Sequence, residues 1–292
     1  MKKILLPTDF SASAWNAIVY AIALFKNEAC TFYLLHTYTP AFYRMDYLIG
    51  GPIISAIPDN EVNLSVAGLE HTLTKIKAEY HNPNHTFKLL SAFNILTHEI
   101  NDLTARKGID LIVMGTQGAT GAKELFLGSN TVYVLRKAIA PVLVIPENRA
   151  FAPMMNMLFP TDYKTKYKKK ELQNITTIAK MCNASITILH VKEEYDLSED
   201  QLTNKEHLAH LLGAVPHIFV EDKGKLMPGA VIDYIENEHI DLLAMMNRKH
   251  SFLDRLFVKH NVDQISFKVQ VPFYVIRDTA EVTSMSTEES IV

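Results

Sequence analysis

A chain of 292 residues, 48% of them hydrophobic, is long for one small domain and comfortable for two with sizeable cores. Its net charge of -3 argues against nucleic acid or an anionic membrane surface as a partner. Two cysteines, Cys30 and Cys182, make no disulfide framework; they read as small buried apolar residues in a reducing cytoplasm.

Met1 to Leu6 leads straight into strand-like sequence with no small-residue cleavage site, so no secretory signal is expected. No apolar run approaches the ~20 residues of a membrane helix. Strands are expected at "KILLPTD", "TFYLLHTY", "TFKLLSAF", "DLIVMG" and "PVLVIP". Between them, helices are expected at "SASAWNAIVYAIALFKN", "NEVNLSVAGLEHTLTKIKAEYH", "NILTHEINDLTARKG" and "SNTVYVLRKAI". This alternation argues for a parallel sheet covered on both faces. The aromatic stretch "YTPAFYRMDYLIGGPIIS" after the second strand is long enough for a lid over a ligand, or for a packing surface between repeats.

The chain is then written a second time. "KILLPTDFS" at Lys3 matches "NMLFPTDYK" at Asn156, and "FYLLHTY" with His36 matches "ITILHVK" with His190. "IDLIVMG" at Ile109 matches "IDLLAMM" at Ile240, and "APVLVIPE" at Ala140 matches "VPFYVIRD" at Val271. Order and spacing are kept, so this is a tandem duplication. Domains are expected over 1–147 and 154–278. The polar, acidic residues 279–292 are expected to be a disordered tail.

Glycine is sparse, eleven in all, yet four fall in "GTQGATGAKELFLGSNT" from Gly115 to Thr131. A loop that wraps phosphates needs backbone N–H groups pointing inward, and side chains would obstruct them. The helix opening near Ser129 adds unpaired N–H groups and a positive dipole end. Ser129 is a candidate both for capping that helix and for bonding a phosphate oxygen. A P-loop does not fit, because Ala122 rather than a lysine follows Gly121; a Rossmann fingerprint does not fit, because "PTDFSAS" has no glycine. In an open α/β sheet, ligands bind where strand order reverses, which would bring Asp9 and Gly115 to one crevice. The competing reading makes Asp9 only the cap of the helix near Ser11.

Gly115, two residues, Gly118, nine residues, then Gly128-Ser129 resembles the nucleotide-binding motif of the universal stress protein family. "PTDFS", "LLHTY" and "PVLVIP" resemble it too. The resemblance implies two tandem open five-stranded parallel sheets, order 3-2-1-4-5, with helices on both faces, an adenine-nucleotide α-hydrolase-like fold. It implies ATP or another adenine nucleotide in the first domain, with Mg²⁺ bridging the phosphates, and a role in stress response or signalling. Pro7, Thr8 and Asp9 would lie beside adenine and ribose, and Thr37 near adenine. Met114 and Gly115 would line the nucleoside; Gly118, Gly128, Ser129 and Asn130 would hold phosphates. The last strands of the two repeats would pair within the chain, and two tandem chains would form a homodimer.

In the second copy Met246 stands for Gly115, Lys249 for Gly118, and Lys259 and His260 for Gly128 and Ser129. Its site is expected to be degenerate. The basic cluster Arg248, Lys249, His250, Arg255, Lys259 and His260 reads as a solvated loop rather than an anion site. His36 and His190 read as hydrogen-bonded, partly buried histidines. His207 and His210 lack a third ligand for zinc. "YKTKYKKKE" at Tyr163 reads as a solvated face. The sequence offers Asp9 and Ser129 but no second carboxylate and no loop arginine, so dedicated catalysis is not indicated. A slow nucleotide hydrolase or transferase, and a purely structural dimerisation module, are the alternatives.

Overall fold

Strand β1 (Lys2–Pro7) buries Ile4, Leu5 and Leu6 in succession. A strand apolar on consecutive residues needs cover on both faces and neighbours on both edges. In the computed structural model β1 has both neighbours, pairing in parallel with β2 (Cys30–Tyr38) and with β4 (Leu111–Gly115). The structure describes residues 1–38, 60–116, 128–192, 196–223, 227–247 and 271–277.

Two compact units divide the chain, Met1–Phe151 and Ala152–Val292. In unit 1, β3 (His85–Phe93) joins β2 and β5 (Val142–Ile145) joins β4, giving the order β3-β2-β1-β4-β5 with every pair parallel. The connecting helices are α1 (Ala12–Leu24), α2 (Asn60–Glu79), α3 (Leu96–Lys107) and α4 (Ser129–Lys137). The chain crosses the sheet one way through β1, β2 and β3, and the other way through β4 and β5. Right-handed crossovers therefore put α1 and α2 on one face, α3 and α4 on the other. The order reverses between β1 and β4.

Unit 2 repeats the plan with β6 (Asn156–Pro160), α5 (Lys169–Cys182), β7 (Ser185–Lys192), α6 (Glu199–Leu212), β8 (His217–Lys223), α7 (Met227–Asn237), β9 (Leu242–Asn247) and β10 (Phe273–Arg277). Its order is β8-β7-β6-β9-β10, again all parallel. Register supports the alignment read from sequence. Gly115 pairs with Ile145 and Met246 with Ile276, and each isoleucine lies at the same remove from its proline, Pro141 or Pro272. The aromatic stretch beyond Tyr38, Gly118, the basic cluster from Arg248 to His260 and the tail from Thr279 lie outside the described residues.

Burial pushes the Cys30 thiol up to about 11 and raises that of Cys182. Both are free cysteines. No described helix is long and apolar enough to cross a membrane.

Two glycines make opposite predictions. Gly108 ends α3 in the left-handed region, φ 64°, where an added Cβ meets only Lys3 Nζ at 3.9 Å. Gly108→Ala is expected to destabilise by about 1–2 kcal/mol through the backbone alone. Gly229 lies within α7 with nothing near its missing Cβ, so Gly229→Ala is expected to stabilise by about 0.5–1 kcal/mol. Urea denaturation of each variant checks both signs.

Candidate functional site

The chain leaves β1 through a turn tied by its own side chains. Thr8 N–H donates to the Leu35 carbonyl at 2.8 Å, extending the β1–β2 pairing beyond Pro7. Thr8 Oγ1 accepts from Phe10 N–H at 3.0 Å and Asp9 Oδ1 from Ser11 N–H at 3.1 Å. Ser11 is the N-cap of α1, its Oγ accepting from Ala14 N–H at 3.2 Å. The alternative that made Asp9 the cap is thus settled: Asp9 fixes the turn and Ser11 caps. Phe10 sits at φ 64°, costly for a residue with a Cβ.

Gly115 ends β4 directly under the first turn of α1. A Cβ there would collide with Ser13 Oγ and lie 2.8 Å from the Ser13 carbonyl oxygen, which is backbone and cannot move aside. Ser13 therefore stands where a side chain at this position would go, which gives this glycine a packing role in the fold. Beyond it, Thr116 N–H donates to the Ile145 carbonyl at 3.1 Å and Gly128 N–H to the Thr116 carbonyl at 2.7 Å. That second bond draws the two ends of the glycine loop together. Thr131 Oγ1 donates to the Gly115 carbonyl at 3.1 Å and anchors the start of α4 to β4. The N-cap of α4 is Gly128, not Ser129, and it offers no side chain to the first-turn amides. Ser129 and Asn130 are exposed on that first turn.

A cavity of about 410 Å³ opens beside this helix end. His36, Thr37 and Tyr38 of β2 line it, with Glu61 of α2, Asn94 to Leu96 after β3, and Asn130 of α4. The structure thus brings Thr37 and Asn130 to one cavity. Pro7 and Met114 are buried within the sheet, and Asp9 is exposed at its carboxyl edge. The sequence reading missed Glu61, Asn94, Ile95 and Leu96, which carry no motif. It also missed Phe10, whose ring lies 2.5 Å from the Cβ that Gly68 lacks. A glycine inside the otherwise regular helical pattern of α2 was the available signal.

Unit 2 keeps the turn and closes the surroundings. Thr161 Oγ1 accepts from Tyr163 N–H at 3.1 Å and Asp162 Oδ1 from Lys164 N–H at 2.9 Å. Tyr163 repeats the positive φ at 56°. Tyr163 is 1% exposed, against 39% for Phe10. One face of α6 then clamps the loop from above. Gln201 Nε2 donates to the Asp162 carbonyl at 2.7 Å, Asn204 Nδ2 to the Tyr163 carbonyl at 2.9 Å, and His207 Nε2 to the Tyr167 carbonyl at 3.0 Å. His207 is thus engaged with backbone, and among the described residues no cluster of His, Cys, Asp and Glu could hold a metal. Met246, in the register of Gly115, is buried. The helix it would obstruct starts later: α5 begins nine residues after Pro160, whereas α1 begins five after Pro7.

A doubly wound parallel α/β unit, with a polar cavity at the carboxyl ends of β2 and β3 and a side-chain-free helix cap beside it, defines the class. The universal stress protein family matches residues 1–146, half of the chain. Universal stress protein MJ0577 of Methanocaldococcus jannaschii is 30% identical over 152 residues, covering 49% of this chain and 94% of that protein. Universal stress protein MJ0531 of the same organism is 33% identical over 149 residues, covering 49% of this chain and 81% of that protein. The chain belongs to the universal stress protein family. A crystal structure of a universal stress protein from Archaeoglobus fulgidus DSM 4304 shares the fold over 96% of this chain and 97% of its own, with a TM-score of 0.67 at 17% identity.

Gly115→Ala is expected to push α1 off β4 and to cost about 1–3 kcal/mol, the range for overpacking. Thermal unfolding measures it. An unaltered transition would mean that the contact with Ser13 relaxes without cost.

Proposed function

We propose that unit 1 binds an adenine nucleotide, ATP in particular, and that the protein acts in stress response or signalling through nucleotide-dependent conformation or partner binding. One observation carries this reading: α4 begins on a glycine cap, and its first turn shares a cavity with Thr37 of β2. First-turn amides and the positive dipole end favour an anion there. The residues present fit such a ligand. Gly128, Ser129 and Asn130 would take phosphate oxygens, with Gly118 completing the loop. Thr37 would meet the base, and the exposed Asp9 carboxylate would accept from sugar hydroxyls. Pro7, Thr8, Met114 and Gly115 would form the floor. Mg²⁺ would enter with the phosphates, bridging their oxygens.

Unit 2 would not hold ATP in this way. Support comes from Met246 in the glycine register, the buried Tyr163 ring and the α6 clamp over the Asp162 turn. Its residues over 154–278 would form a diverged domain, distinct in role from the nucleotide-binding domain of 1–147.

Mass spectrometry of nucleotide released from the purified protein, with and without added Mg²⁺, tests the ligand. Calorimetry is expected to give one ATP site per chain. Asp9→Ala is expected to weaken binding by about 1–3 kcal/mol, the range for hydrogen bonds to a charged group, and Asp162→Ala to leave the stoichiometry alone. Gly118→Lys, which copies the second repeat, is expected to weaken binding strongly. Two equivalent ATP sites per chain would contradict the division of labour.

A further inference from the structure

Equivalent histidines in the two units have taken different partners. His190 Nδ1 lies 3.0 Å from the Thr161 carbonyl. A carbonyl only accepts, so Nδ1 carries the proton and His190 is locked to its own turn. His36 turns the other way. Its Nδ1 lies 2.8 Å from Ser65 Oγ on α2, and Ser65 Oγ lies 2.7 Å from Ser91 Oγ on β3. Ser65 is fully buried, and its only hydroxyl proton can go to one neighbour while it accepts from the other. The ring is therefore held in place whichever way the chain of hydroxyls points.

The other contacts of His36 lead into the crevice. The imidazole lies tilted by 31° against Phe10 with ring centroids 4.5 Å apart, the tip of the Phe10 ring meets Gly68, and the imidazole lines the cavity beside Thr37. Phe10 follows Asp9 directly in the tied turn.

We propose that His36 is a positioning residue of the unit 1 crevice, holding Phe10 and through it the Asp9 carboxylate where the ligand's sugar is met; this rests on the nucleotide reading above. The neutral imidazole is the competent form. Burial holds His36 below its usual range, while Asp9 after β1 and Glu61 on α2 pull the other way. These are the charged groups acting on the ring. Once protonated, His36 attracts the Asp9 carboxylate and competes with the sugar hydroxyls for it. It also leaves the hydroxyl chain a single direction, from Nδ1 through Ser65 to Ser91. Binding to unit 1 therefore weakens as the pH falls through the titration of His36, and this sensitivity is absent when the ring is replaced.

The test is calorimetry of ATP binding to the full chain from about pH 8 to about pH 5, the range in which imidazole changes charge. ATP itself titrates identically in every sample, so the comparison is between proteins. His36→Asn keeps a polar atom near the Nδ1 position without the titration. Wild type is expected to lose about tenfold more affinity than His36→Asn across the range, one pKa unit of linkage. Ser65→Ala is expected to weaken binding at the alkaline end, because the ring loses its anchor. Superimposable pH profiles for wild type and His36→Asn would overturn the inference while leaving nucleotide binding in place. A wild type that binds no adenine nucleotide at any pH would overturn the function reading, and this inference with it. Should His36→Asn fail to fold, the imidazole resonances of His36 in the wild type decide the matter. A titration midpoint that falls on saturation with adenosine supports the role; an unmoved midpoint overturns it.

Discussion

The turn at the end of the central strand is the constraint on which the rest of each unit depends. β1 is paired on both edges, so the chain can leave it only past the sheet's carboxyl end, where strand order reverses. It must then reach the first helix over the same sheet. The turn achieves this with a non-glycine residue at positive φ, Phe10 or Tyr163. Such a residue is disfavoured by about 1–2 kcal/mol, and the side-chain bonds of Thr8 and Asp9, or Thr161 and Asp162, hold it there. Since both units keep the bonds and the φ, they are the frame of the fold before they are part of any site. A Thr-Asp pair that serves the frame is retained whether or not its unit holds a ligand.

From that turn follows the use of Gly115. In unit 1 the helix begins at once, and its first turn lies so close to β4 that only a glycine fits opposite Ser13. In unit 2 the longer lead-in to α5 delays the helix, and Met246 occupies the vacated register. Loss of a glycine and lengthening of a turn are thus one structural change. The expected degeneracy of the second site rested on crowding of a phosphate loop. The described residues show why a methionine fits at this position, the spacing between helix and strand.

Legibility in the sequence followed the range of each interaction. Strands, helices and the duplication were readable because they repeat a short-range pattern, and even the register of Met246 against Gly115 came from counting back from proline. The candidate site was readable only where its residues lie close together in sequence. Thr8, Asp9 and the start of α4 lie in or beside motifs. The caps were not settled, because Asp9 and Ser11, or Gly128 and Ser129, are chemically competent neighbours and only backbone geometry separates them. His36 looked ordinary because its partner Ser65 is remote in sequence and belongs to a helix with no motif. The cavity residues Glu61 and Asn94 to Leu96 were silent for the same reason.

The two histidines show how a duplicated frame diverges without unfolding. Each rests under the aromatic of its turn at the same 31° interplanar angle, so the ring contact is common to both units. What differs is the hydrogen bond, and with it the element to which the turn is coupled. In unit 2 the bond closes on the turn itself, and α6 adds three donors, to the carbonyls of Asp162, Tyr163 and Tyr167. A loop satisfied by its own helix gains rigidity and has fewer acceptors to offer a ligand. In unit 1 the bond runs outward to α2 and β3, and Phe10 stays partly exposed. The first arrangement suits a packed structural unit. The second leaves the turn coupled to a helix on one side and open to solvent on the other, which is the condition for a site whose occupancy can be felt elsewhere in the domain.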